Sequence, residues 1–212
     1  MSYEGQLVVP ATNNTFSTFA GGGTGITPVN IGGSILVPGL AATANGVGGA
    51  KIAAPATPYC TIANIVCNQG DYVSSSITQK PIGYGLGFTD GTKYIFVCAT
   101  WGSAVTMEVN VYECATSAST ASSVFGQTFT GGQPTGSVTW FQVRDDGTSI
   151  YFYIATENDG ETQPKHWVKL YSQLRTSYLS AVTSICYIYY VTGVASGPNT
   201  YLTVNSWQTV AL

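Results

Sequence analysis

The residues in this sequence that could do chemistry are scattered carboxylates, one histidine, five cysteines and a large set of aromatic rings. Retaining glycoside hydrolysis needs two carboxyl groups about 5–5.5 Å apart. On a strand that means acids at i and i+2 or i+4, on one face. Glu108 and Glu113 are five positions apart and so fall on opposite faces. Glu157, Asp159 and Glu161 do alternate, but they surround Asn158 and Gly160, a loop composition with no rigid strand to hold them. His166 stands alone beside Trp167, and no G-x-S-x-G elbow supplies a serine nucleophile. No catalytic residue is assigned, and the expectation is a protein that is not an enzyme.

Calcium would need six to eight hard oxygens. Asp145-Asp146 and Glu157-Asn158-Asp159 are the candidate clusters, but they sit at opposite ends of the strand-like run Ile150–Ala155. Six residues at about 3.3 Å each place them roughly 20 Å apart, so no metal and no cofactor is expected. The cysteines (Cys60, Cys67, Cys98, Cys114, Cys186) are odd in number and lack C-x-x-C spacing, which argues for buried free thiols. Sugar recognition would use exposed rings beside polar groups, because the apolar faces of sugars stack on aromatics. Trp101, Trp167 and Tyr171 are the ligand-binding candidates. Tyr187, Tyr189 and Tyr190 occupy both faces of one strand, so at least one turns outward. Packing in the core or between subunits is the competing use of every one of these rings.

The elements that must position these residues are strands. Pro58–Cys67 sets Tyr59, Thr61, Ala63 and Ile65 against Cys60, Ile62, Asn64 and Val66. Ile82, Tyr84, Leu86 and Phe88 share one face of the next run, and Gly83, Gly85 and Gly87 the other, where a large ring or a second backbone can come close. Tyr94–Ala99, Thr106–Tyr112, Trp140–Val143, Ile150–Ala155, Trp167–Tyr171, Ile185–Val191 and Tyr201–Val204 continue the pattern. Asp90-Gly91-Thr92 and Asp146-Gly147-Thr148 are hairpin turns in which the glycine takes positive φ. The one stretch open to a helix is Ser172–Ser180. Many short strands separated by turns predict an all-β sandwich.

The chain of 212 residues is only 8% charged, against 44% hydrophobic, with a net charge of −3. Its 28 threonines and 19 serines supply polarity without charge. Seven Lys and Arg scattered among ten acids exclude nucleic-acid binding by a basic face. No run reaches the roughly 18 apolar residues of a membrane span. The start Met-Ser-Tyr-Glu-Gly has no signal-peptide character, so folding in a cytoplasm is expected. Residues 1–54 differ from the rest. The first 50 carry one charge and eleven glycines, with the apolar runs Leu7-Val8-Val9 and Ile35-Leu36-Val37 each ending at a proline. Too small-chained to build a core of its own, the segment must lie along another surface, its own or a neighbour's. It is expected to be an extended attachment or oligomerisation arm, with residues 55–212 forming the sandwich.

Trp140–Tyr153, with Arg144 before and Tyr151 after the Asp-Gly-Thr turn, resembles a hairpin of concanavalin-like (laminin-G or glucanase-like) jelly-roll sandwiches. Pro58–Ile62 resembles that family's opening strand, and Gly83–Asp90 its glycine-rich strand and turn. Behind a Gly-rich arm, such domains look like those of tailed-bacteriophage virion proteins, in capsid decorations, fibres and tail appendages. The resemblance implies a structural virion protein, made in the host cytoplasm and attached to other virion proteins of capsid or tail through its arm. Homotrimers are common in such appendages, so an oligomer is expected. The alternatives it carries are a receptor-recognition module for host-surface glycan and, more weakly, a glycan hydrolase.

Overall fold

The computed structural model describes residues 16–19, 27–37, 46–69, 82–103, 106–129, 138–155, 163–191 and 200–212. They form two seven-stranded sheets. The first runs β1 (Ser17–Phe19), β4 (Gly46–Ala53), β13 (Ser184–Val191), β6 (Ile82–Thr89), β7 (Tyr94–Ser103), β8 (Thr106–Cys114) and β9 (Ser122–Phe129). The second runs β12 (Val168–Leu174), β11 (Ser149–Ala155), β10 (Trp140–Asp145), β5 (Tyr59–Gln69), β14 (Thr200–Ala211), β3 (Ser34–Val37) and β2 (Val29–Ile31). Every pairing is antiparallel.

Between the sheets lies one core, built from alternate residues. Tyr84, Leu86 and Phe88 of β6 and Ile95, Val97 and Ala99 of β7 meet Phe141 and Val143 of β10 and Ile150, Phe152 and Ile154 of β11. The rings interlock edge to face across the gap, Phe88 with Phe152 and Tyr84 with Phe141, each pair at 5.8 Å between centroids. The Tyr84 hydroxyl donates to the Val138 carbonyl at 3.0 Å. Its polar end is thereby satisfied inside the core.

Two expectations change. In the segment expected as a separate arm, the described residues belong to the sandwich. β4 pairs along its whole length with β13, from Ala53 opposite Ser184 to Gly46 opposite Val191. β3 pairs with β14, which buries Ile35 and Val37 completely and leaves Leu36 half-buried on the other face. Ile35 and Val37 are core residues and cannot serve as attachment residues. A segment short of side-chain bulk finds its surface in its own chain, and the sandwich begins before residue 55. Leu7, Val8 and Val9 lie outside the described residues. The second change is at Ser172–Ser180. Ser172–Leu174 finishes β12, paired with Tyr151, Ile150 and Ser149, and a turn closed by Ser177 N–H on the Leu174 carbonyl follows.

Both Asp-Gly turns form as expected, with φ of 100° at Gly91 and 93° at Gly147. In each, one carboxylate oxygen of the aspartate accepts the N–H groups two and three residues on, at 2.7–3.0 Å. The other oxygen of Asp90 takes the Ser180 N–H and hydroxyl, tying this turn to the β12–β13 connection. Partial burial opposes ionisation of Asp90, but the donated hydrogen bonds from Lys93, Ser180 and Thr92 outweigh it and hold the carboxyl at about 2. An unfolded aspartate titrates near 3.9. The stabilisation is therefore present above that value and is lost as pH falls toward 2. Asp90→Asn is expected to flatten the acid limb of stability. Urea midpoints at about pH 5 and pH 2.5 test this, and equal acid losses in both proteins would refute it.

Candidate functional site

The sandwich has two outer faces, and its own chain closes one of them. On the first sheet, Gly83, Gly85 and Gly87 turn outward between Tyr94, Phe96 and Cys98 of β7 and Cys186, Ile188 and Tyr190 of β13. With glycines on the outward face of the strand between them, the ring centroids of Phe96 and Tyr190 lie 6.0 Å apart, and those of Tyr112 and Tyr190 5.0 Å apart. The loop between β8 and β9 folds over this cluster. Val47 N–H donates to the Ser117 carbonyl at 2.8 Å, and Ala121 N–H to the Tyr190 hydroxyl at 3.3 Å. The result is a second apolar core on the outside of the sheet. Burial pushes the thiols of Cys98 and Cys186 well above their ordinary range, which leaves them unreactive packing groups. At its margin Asn110 donates to Glu108 and accepts from Ser123, each at 3.4 Å. Glu113, opposite Ile95, projects from the other face of β8.

The outer face of the second sheet is covered at one end and open at the other. Gln163 and Pro164 are buried across it, and Trp167 packs on the patch made by Ile62, Trp140 and Ala155. The Gln163 amide donates to Gln208 on β14, which pins the crossing segment down. Beyond that cover the register brings polar and aromatic side chains into two rows. Lys169, Tyr153, Gln142 and Ile62 form one, and Tyr151, Arg144 and Cys60 the next.

In these rows the rings of Tyr151 and Tyr153 lie 6.5 Å apart and only 28° from parallel. The Arg144 guanidinium sits 5.5 Å, and the Lys169 ammonium 5.9 Å, from the centroid of Tyr151. Such contacts hold long cationic side chains in place. The Tyr151 hydroxyl donates to the Asp146 carboxylate at 2.7 Å, and the Gln142 amide to the Cys60 sulfur at 2.8 Å. Tyr151, Tyr153, Gln142 and Arg144 are half-buried and Lys169 is exposed. Two half-exposed rings, Tyr151 anchored at its hydroxyl and Tyr153 beside it, with amide and cationic donors around them, form a surface on which a sugar ring can stack and hydrogen-bond.

Of the candidate rings, Trp167 belongs to this face, beside the exposed His166. Tyr171 does not. It lies opposite Phe152, packs against the main core with its ring 6.4 Å from that of Phe152, and donates to Gln173 at 3.2 Å. The side chain of Trp101 lies outside the described residues, as do Glu157, Asp159 and Glu161. Tyr187 and Tyr189 are in the main core, and Tyr190, the outward ring, is sealed under the β8–β9 loop. Asp145 is fully buried and paired with Arg175 at 2.8 Å. Among the described residues no three His, Cys, Asp or Glu side chains are grouped to hold a metal ion. Sequence reasoning passed over Tyr151, Tyr153, Arg144 and Gln142. The Asp-Gly turn was the signal for them, because a hairpin closed there sets Arg144 opposite Tyr151 and Gln142 opposite Tyr153.

No protein-family model and no curated protein matches the sequence. Solved structures match over nearly the whole chain. A functionally unknown protein from Saccharomyces cerevisiae is 8% identical at a TM-score of 0.57, covering 95% of this chain and 99% of that one. The exoplasmic/lumenal domain of VIP36, in its Ca²⁺- and mannose-bound form, is 9% identical at 0.56, covering 93% and 83%. The CBM2 module of the evolved Dit of Lactobacillus casei BL23 phage J-1 is 9% identical at 0.52, covering 97% and 98%. At these identities the likeness is one of fold, and the fold is a concanavalin-like antiparallel β-sandwich.

Proposed function

We propose that this sandwich is a carbohydrate-binding module displayed on a tailed-phage particle, in more than one copy, where it meets host-surface glycan. The observation that carries the binding half is the open face of β10–β12, with Tyr153 as the stacking ring, Gln142 and Lys169 opposite it on the flanking strands, and Arg144 on the neighbouring ring of Tyr151. The display half is supported by the phage Dit module, whose fold matches almost end to end in both chains, and by the low charge and Ser/Thr richness of a chain suited to a crowded assembly. Binding here is reversible stacking and hydrogen bonding, with no bond-breaking step. A monomeric mass in sedimentation, together with absence of the protein from purified particles, would remove the display half.

Tyr153→Ala tests the binding half. Tyr153 is half-buried on the outer face, and its loss leaves the main core untouched. An aromatic contact of about 0.5–1.5 kcal/mol corresponds to a loss of up to about tenfold in affinity. Glycan-array binding at unchanged urea midpoint is the measurement. Wild-type binding that survives Tyr153→Ala intact would place the site elsewhere.

A further inference from the structure

From the charges on this same face we infer that the glycan it takes is anionic, a polymer whose sugars carry carboxylate or phosphodiester groups. The inference rests on the carbohydrate-binding reading and adds the ligand's chemical class. The chain as a whole is acidic, with a net charge of −3 and seven Lys and Arg in all. Two of the seven, Arg144 from β10 and Lys169 from β12, converge from either side on the ring of Tyr151. An anion held at this ring is attracted by both cations, which no neutral sugar can be. The Arg144 Nε–H is buried without a hydrogen-bond partner, so no protein acceptor takes that donor. The carboxylate at the turn end of the face, Asp146, accepts from Thr148 N–H, Ser149 N–H and the Tyr151 hydroxyl and lies near enough to Arg144 to offset part of that one cation's charge. Asp145 points to the other side of β10, where Arg175 holds it. Tyr153 then supplies the surface for the sugar ring, and the two cations supply the preference for charge.

The test is titration of the full chain with polygalacturonate, its fully methyl-esterified form, polyribitol phosphate and a neutral mannan. Arg144→Gln and Lys169→Gln are run alongside. Lys169 is exposed, so Lys169→Gln keeps the experiment decisive even if Arg144→Gln disturbs packing. The expected result is binding of polygalacturonate or polyribitol phosphate at least about tenfold tighter than either neutral polymer. That preference should shrink with added salt and fall about tenfold in each variant. Which of the two anionic polymers binds identifies carboxylate or phosphodiester as the source. Binding of the neutral polymers as tight as the charged ones, unchanged in both variants, overturns the inference and leaves the carbohydrate reading standing. No binding to any of the four by folded protein overturns both.

Discussion

Gly85→Ala is expected to destabilise the protein by about 3 kcal/mol or more, a large share of the total for a domain of this size. A Cβ at position 85 would lie 1.9 Å from the Val97 carbonyl oxygen and 2.9 Å from its carbon. Both are backbone atoms of the paired strand β7, in the middle of a seven-stranded sheet. No rotamer change relieves a clash with backbone, so β6 and β7 must separate. The separation would spread to both cores, because Tyr84, Leu86 and Phe88 anchor the inner one while Phe96 and Tyr190 close the outer one over the glycines. Gly91→Ala is the control. Its Cβ would meet nothing within 4 Å, and its φ of +100° alone sets the penalty, about 1 kcal/mol. Urea unfolding of the two variants separates backbone crowding from backbone conformation. A Gly85→Ala midpoint no lower than that of Gly91→Ala would mean the strands have room to spare.

The strands after residue 55 were legible because their alternation is written in bulk. Tyr84-Gly85-Leu86-Gly87-Phe88 carries side-chain bulk on only one face, and the Asp-Gly turns fix where neighbouring strands begin. β4 was not legible. Gly46-Val47-Gly48-Gly49-Ala50 has no bulky residue on alternate positions, and its place is set by a partner more than a hundred residues away. There the glycines are needed, since a Cβ at Gly48 would strike the Tyr189 ring and one at Gly49 the Tyr187 carbonyl. Only the long-range pairing with β13 turns a stretch that looks like a flexible arm into an interior strand.

The candidate site was half legible, for a reason that lies in β12. Strict alternation puts Trp167, Lys169 and Tyr171 on one face, and on that basis Tyr171 reads as an outward ring. The register between β11 and β12 shifts at Phe152/Tyr153, so that Tyr153 faces Lys169 while Phe152 faces Tyr171. A bulge of this kind inserts one residue and reverses the facing of everything beyond it. Lys169 therefore stays outside with Tyr151 and Tyr153, while Tyr171 turns into the core. The outer face of the first sheet was misjudged differently. Nothing local in Ala115–Ala121 says that this loop folds back over Tyr190, so an outward tyrosine looked available when it is in fact sealed.

Arg175→Met is expected to cost about 2–4 kcal/mol, more than Asp145→Asn at the other end of the same ion pair. Asp145 is completely buried, its Oδ2 held by Arg175 Nε at 2.8 Å and its Oδ1 by Gly147 N–H at 2.9 Å. Tyr59 lies close enough to feel its charge, and burial first, then that charge, pushes the phenol upward. Removing the guanidinium leaves a carboxylate without its counter-charge in a site water does not reach, the costly way to break a buried pair. Removing the carboxylate leaves an arginine whose side chain is 28% exposed. Its charge can turn to solvent while its second amino group keeps the Val182 carbonyl, and the expected loss is about 1–2 kcal/mol. That exposure also sets the figure for Arg175→Met below the roughly 3–5 kcal/mol of a fully enclosed pair. The double variant Asp145→Asn/Arg175→Met should be more stable than Arg175→Met alone, because the stranded charge is gone. A double-mutant cycle in urea reads the coupling directly. Equal losses from the two single variants, adding in the double, would show that the pair carries no special weight. The β12 end would then be held by the backbone bond from Arg175 N–H to Thr148 and by packing.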